Sequence, residues 1–175
     1  MIPGFKVFRR ERCGRGSGVA IFCLDGSRCK RREDLECCDV EAVWIELVTS
    51  KKKSLLVCTI YRPGCKFFTN LSIMLENANK ECKEILVMGD FNINYLVDCP
   101  NTRRMQSLSG ESGPLQMIVE PTQVTQSTRT LIDHIYTSSP DSLLESGCLD
   151  AGVSDHFWFM WSEWVGAPGS QNQVS

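Results

Sequence analysis

Histidine is nearly absent from this chain: His134 and His156 are the only two in 175 residues. That scarcity excludes a histidine-built zinc site. The 10 cysteines do not replace one, because no Cys-x-x-Cys pair occurs and the adjacent Cys37-Cys38 share a metal poorly. They read as reduced thiols, several of them small hydrophobes within strands. No apolar run approaches the ~20 residues that cross a bilayer, so no membrane partner is expected. Met1-Ile2-Pro3-Gly4 begins no signal peptide, which points to an intracellular protein, nuclear or cytoplasmic. Positive charge is not in excess either: the net charge is −2, unlike that of a protein that coats duplex nucleic acid. Nucleic-acid binding would have to come from local patches: Arg28 with Lys30, Arg31 and Arg32; Lys51-Lys52-Lys53; or Arg103-Arg104. Each of these reads equally as a solvated loop, and the lysine run as a hairpin tip.

The 42% hydrophobic and 23% charged content is ordinary for a globular domain. A chain this long buries roughly 70% of its unfolded surface, and one domain over residues 1–165 is expected, with a Gly/Ser/Gln-rich disordered tail at 166–175. Alternating apolar and polar residues predict strands at Phe5–Arg9 and Gly18–Cys23, and a polar surface loop over 24–41. Ala42–Thr49 and Ser54–Tyr61 read as a hairpin, stopped by Arg62-Pro63-Gly64. Thr69 is placed to cap a helix running to Lys83, with Leu71, Met74, Leu75 and Ala78 on one apolar face. Ile85–Gly89 reads as a buried strand, Thr102–Ser109 as a short helix, and Leu131–Tyr136, Gly147–Leu149 and Phe157–Trp164 as further strands. On strands, Trp44, Trp158, Trp161 and Trp164 read as core packing rather than base-stacking platforms.

Three sites interrupt this pattern with chemistry. The run Ile85–Met88 stops on Gly89-Asp90-Phe91-Asn92; Ile132-Asp133-His134-Ile135 follows; and Ser154-Asp155-His156 precedes Phe157-Trp158-Phe159. Each puts a metal- or proton-handling side chain at a strand end, where open sheets present groups to ligands. Asp90 and Asn92 are two apart, so on an extended chain both can face one way. A carboxylate there can hold or deprotonate water while the amide orients it. An Asp-x-Asn turn closing a strand is the plainer reading of the same residues.

In this order, with Gly4–Arg9, Arg15–Ile21, Ala42–Glu46, Ile60–Gly64 and Glu120-Pro121-Thr122, the motifs resemble the endonuclease/exonuclease/phosphatase superfamily. Within it the chain is most similar to the endonuclease domain of non-LTR (LINE-type) retrotransposons, over roughly residues 4–164. The resemblance implies an α/β fold, a four-layer αββα sandwich of two packed, mostly antiparallel sheets flanked by helices. It implies that the family's opening strands, one ending in Asn and one in a metal-holding Glu, are missing ahead of Gly4–Arg9. Neither Glu11 nor Glu33 ends an apolar strand that could stand in for the second.

By the same resemblance Asp90 is the general base, Asn92 positions water and phosphate, and His156 contacts the phosphate with its tautomer fixed by Asp133. Tyr61 presents its hydroxyl to the phosphate, Asp155 lies at the metal, Ser154 touches phosphate, and Thr125 sits near the DNA backbone. His134, alternating to the other face of its strand, belongs to the core or surface. The implied cofactor is Mg²⁺, with Mn²⁺ as the alternative, and the implied partner is DNA; any reverse-transcriptase region would be encoded elsewhere. The leading expectation is a metal-dependent DNA phosphodiesterase. A catalytically impaired, non-enzymatic remnant and a phosphatase acting on a small phosphoester are the alternatives.

Overall fold

The computed structural model describes residues 2–11, 18–49, 52–62, 66–81, 83–110, 113–142, 148–149 and 158–159. Strands β1 (Phe5–Arg10) and β2 (Val19–Leu24) pair antiparallel, and β3 (Cys29–Arg31) leads through a 3₁₀ turn at Glu33–Leu35 into β4 (Glu41–Val48) and β5 (Ser54–Tyr61). Helix α1 (Phe67–Asn79) connects to β6 (Glu84–Asp90), and α2 (Pro100–Leu108) precedes β7 (Leu115–Gln116). The small ladder of β8 (Gln123–Val124) and β9 (Arg129–Thr130) then delivers the chain to β10 (Asp133–Thr137), and β11 (Cys148–Leu149) pairs with β12 (Trp158–Phe159).

The central sheet runs β3-β4-β5-β6-β10-β7. Its one parallel contact is β5 with β6, and parallel neighbours need a crossover, which α1 supplies. β4, β5 and β6 are near-continuous apolar runs because both faces of the sheet are covered. On one face Trp44, Leu56, Cys58, Ile60, Ile85 and Val87 pack against Phe67, Leu71, Met74, Leu75 and Ala78 of α1 and Met105 of α2. On the other, Val43, Ile45, Leu55, Val57, Leu86 and Ile135 pack with Cys23 of the β1–β2 hairpin, which adds Phe8, Val19 and Ile21. The result is a mixed α/β sandwich of helices, a six-stranded sheet and a hairpin layer. Among the described residues no helix is long and apolar enough to cross a membrane.

Several local expectations hold and others need revision. The apolar face of α1 and the burial of Trp44 are as read from the sequence. Thr69, however, does not cap the helix. α1 begins at Phe67 behind Lys66, without a side-chain cap, because the Phe67 ring is buried edge-on against Phe91 at 5.8 Å and that packing anchors the first turn. The second helix starts at Pro100, where a missing N–H costs nothing. The 24–41 segment is not wholly a surface loop: it carries β3, and Leu35 and Val40 are buried.

The charges of that segment are equally structured. The Arg32 guanidinium reaches Asp34, Glu46 and Glu81; Lys83 reaches Glu46 at 3.0 Å and Glu81 at 2.7 Å; Lys30 reaches Glu46 at 3.1 Å. This network ties β3 and β4 to the turn between α1 and β6. Glu46 is only 8% exposed, and the Ser54 hydroxyl, then Lys83 and Lys30, hold its carboxyl down at about 2. Arg32, then Lys83, hold Glu81 down at about 2 as well. Both folded-state values lie below the ordinary 4.5, so the unfolded chain binds the extra protons. The stabilisation is therefore complete above pH 4.5 and is lost as the pH falls toward 2. Urea unfolding across that window should show the decline, and Glu46→Gln should flatten it while costing about 2 kcal/mol at neutral pH. An unchanged acid profile in Glu46→Gln would refute the network's role.

Candidate active site

Backbone register brings three of the sequence-predicted residues, Tyr61, Asp90 and Asp133, together. In the ladders Glu41 pairs with Tyr61, Tyr61 with Asp90, and Asp90 with Asp133. Four adjacent strands thus contribute one residue each to a single row, with neighbours about 5 Å apart. Alternation fixes its face: Val43, Leu55, Val57, Leu86 and Ile135 lie toward the hairpin, so positions 41, 61, 90 and 133 share that side. The row lies at one end of the layer between sheet and hairpin. Glu41 is a member that no motif singles out.

Gly89 makes the strand end possible. Its φ is +147°, and a Cβ there would stand 1.9 Å from the Ile60 carbonyl oxygen. The next turn is closed by Asp90 itself, whose Oδ1 accepts the Asn92 backbone N–H at 2.8 Å while Oδ2 accepts the Asn92 side-chain amide at 3.3 Å. Asn92 takes a left-handed φ of 50°, a conformation that asparagine tolerates. The Asp-x-Asn turn and the shared site are therefore one structure. Arg62 buttresses it: its backbone N–H donates to the Asp90 carbonyl at 3.1 Å, and its Nη1 donates to the Asn92 carbonyl at 3.1 Å.

Beyond Asp90 the chain stays laced to the approach of β10. Phe91 N–H donates to Ile132 O at 2.9 Å, Tyr95 N–H to Leu131 O at 2.8 Å, and Leu131 N–H to Asn94 Oδ1 at 3.1 Å. His134 secures the same junction from the helix face. Its Nε2 lies 2.9 Å from Ile93 O and 3.2 Å from Leu131 O, both acceptors, so Nε2 carries the proton and Nδ1 accepts from the Tyr136 hydroxyl at 3.2 Å. The ring stacks on Phe91 at 4.8 Å. His134 is fully buried, and burial drives its pKa down from 6.5 to about 4, leaving a neutral structural imidazole.

Asp133 is 3% exposed, and a threonine holds its backbone. That threonine is Thr122, whose buried Oγ1 accepts from the N–H groups of Ile132 and Asp133 at 3.2 Å each. Thr125 sits instead in the exposed β8–β9 turn, its Oγ1 2.7 Å from that of Thr128 and accepting the Thr128 N–H at 3.0 Å. Gly89, Thr122, His134 and Arg62 lie inside segments the sequence motifs already mark, yet nothing in their residue type announces which atoms they hold. Ser154, Asp155 and His156 lie outside the described residues. Among the described residues no three His, Cys, Asp or Glu side chains come together as a metal-holding group.

No protein-family model and no curated protein matches the sequence. Solved structures do match. The endonuclease domain of TRAS1, a telomere-specific non-LTR retrotransposon, superposes with a TM-score of 0.76 at 14% identity, over 95% of this chain and 83% of that one. An endonuclease/exonuclease/phosphatase family protein from Leptotrichia buccalis gives 0.63 at 14% identity, over 93% and 72%. The Xenopus laevis APE2 catalytic domain gives 0.60 at 15% identity, over 92% and 77%. At such identities the likeness is one of fold, and the fold of this chain is that of the endonuclease/exonuclease/phosphatase structures.

Two measurements test this geometry. Gly89→Ala should cost more than about 3 kcal/mol or abolish folding, whereas Gly26→Ala, at φ +88° with nothing within 4 Å of its Cβ, should cost about 1 kcal/mol. Equal costs would contradict the close approach at Ile60. Because the folded value of His134 lies below the unfolded 6.5, its contribution is full above pH 6.5 and declines as the pH falls to about 4, by about 3 kcal/mol in all. Imidazole resonances should stay neutral, with the proton on Nε2, until about pH 4; protonation near 6.5 would be inconsistent with burial.

Proposed function

We propose that this chain is a phosphodiesterase domain acting on DNA, of the retrotransposon-endonuclease kind. The observation that carries the reading is the single register row of Tyr61, Asp90 and Asp133 at a strand end. Two carboxylates directly opposite one another repel, so such a row favours a bound cation, a proton or a hydrogen-bond donor. Likeness of fold to a retrotransposon endonuclease domain supports the same conclusion.

In this reading Asp90 accepts a proton from the attacking water, and Asn92, on the same turn, orients that water with its amide. The water oxygen bonds to phosphorus, the bond to the 3′ oxygen breaks, and the departing oxygen takes up a proton to leave a 3′-hydroxyl. Tyr61 donates its hydroxyl to a non-bridging oxygen, where charge develops. His156 contacts the same phosphate with Asp133 fixing its tautomer, Ser154 assists, and Thr125 touches the strand from the β8–β9 turn. Magnesium, or manganese in its place, is the proposed cofactor, with Asp155 as its ligand; no step above is routed through it. A second reading, a catalytically impaired domain, draws on the engagement of both Asp90 oxygens by Asn92.

Nicking of supercoiled plasmid separates the two. Activity that requires magnesium, disappears with EDTA and falls about 10²-fold or more in Asp90→Ala and His156→Ala supports the enzyme. Nicking that survives both substitutions overturns the assigned roles. A folded wild-type chain that never nicks is the impaired domain.

A further inference from the structure

About half of the described basic side chains meet a carboxylate at short range. Arg9 meets Glu11 at 3.0 Å, Arg31 meets Glu36 at 3.0 Å, Lys53 meets Glu84 at 3.2 Å, and Arg103 meets Asp98 at 2.7 Å. Arg62 and Arg104 are among those that do not, and a shared ring contact sets them apart. Among the described residues no carboxylate pairs with either, and both turn to the same aromatic ring: their guanidinium carbons lie 5.6 and 5.1 Å from the Phe68 centroid. Arg103 and Arg104 thus divide one stretch of α2 between an acid and a ring.

A guanidinium beside a ring is restrained by the π face while most of its N–H donors stay free for another acceptor. Arg62 spends one donor on the Asn92 carbonyl and keeps the others. Phe68 is fixed in turn: it meets Phe67 edge-on at 5.6 Å, and the buried Phe67 meets Phe91, the residue after Asp90, at 5.8 Å. Arg62 therefore stands beside the turn that follows Asp90, and Arg104 joins it across the Phe68 ring.

The geometry points to a phosphate clamp: Arg62 and Arg104, arrayed on Phe68, bind the phosphodiester backbone of a nucleic-acid strand flanking the Asp90–Asn92 turn. This rests on the reading of the row as one that acts on DNA. It supplies the local positive patch that a chain of net charge −2 needs, and it draws on one arginine of the Arg103-Arg104 pair that the sequence singles out. Pre-ordering reduces the side-chain entropy lost when a strand docks.

Binding without cleavage tests it. Anisotropy of a fluorescein-labelled DNA duplex is followed in EDTA between about 50 and 200 mM salt, on the full chain. Arg104→Ala should weaken binding roughly threefold to tenfold and reduce the salt slope by about one, with an unchanged thermal midpoint. Phe68→Leu should reproduce the loss by releasing both cations. Arg103→Ala, whose cation is already spent on Asp98, should leave affinity and slope unaltered. Arg104→Ala binding with wild-type affinity and slope would overturn the clamp and leave the proposed function standing. A wild-type chain that binds neither duplex nor single-stranded DNA at any salt would remove both.

Discussion

The parallel pairing of β5 with β6 is the constraint on which the remaining features depend. Its register sets Tyr61 beside Asp90, and it requires the α1 crossover that covers the helix face of the sheet. It also brings the Ile60 carbonyl so close to residue 89 that no Cβ fits there. β10 then pairs with the free side of β6 and adds Asp133 to the row. Chemistry at this end of the sheet is thus a product of strand register rather than of any single loop.

Much of this was legible from the residues alone. The i, i+3, i+4, i+7 spacing on α1 and the alternation along β1 and β2 reflect burial of one face, which dictates side-chain identity. Asp90 was legible because a carboxylate ending an apolar run has no packing purpose. What stayed hidden depends on partners distant in the chain. β3 is short and charged, and its charges are structural only because Glu46 and Glu81 arrive from other elements. The start of α1 was misjudged because tertiary packing of Phe67 outweighs the capping preference of Thr69. Thr122 lay inside a marked motif, but its hold on two backbone N–H groups was hidden because such a hydroxyl looks, in sequence, like any other.

Electrostatics divide the molecule by location. Among the described residues away from the row, one dense network joins Arg32, Lys30 and Lys83 to Glu46 and Glu81. At the row, carboxylates share an end of the sheet, and Arg62 beside it leans with Arg104 on an aromatic ring instead of on an acid. Field lines from those two arginines reach farther than those of ion pairs, so an approaching polyanion would sense them at a distance.

The order of the strands has a kinetic consequence. Tyr61 and Asp90 are joined by a single helical crossover, so the closure that brings them together is short and is helped by the local formation of α1. Asp133 reaches the row only after α2, β7 and the β8–β9 ladder have been traversed, a longer excursion with a larger closure cost. A nascent chain would hold the first pair in place before the second carboxylate arrives. Tyr61 and Asp90 would then be assembled early in folding, and Asp133 would complete the row last.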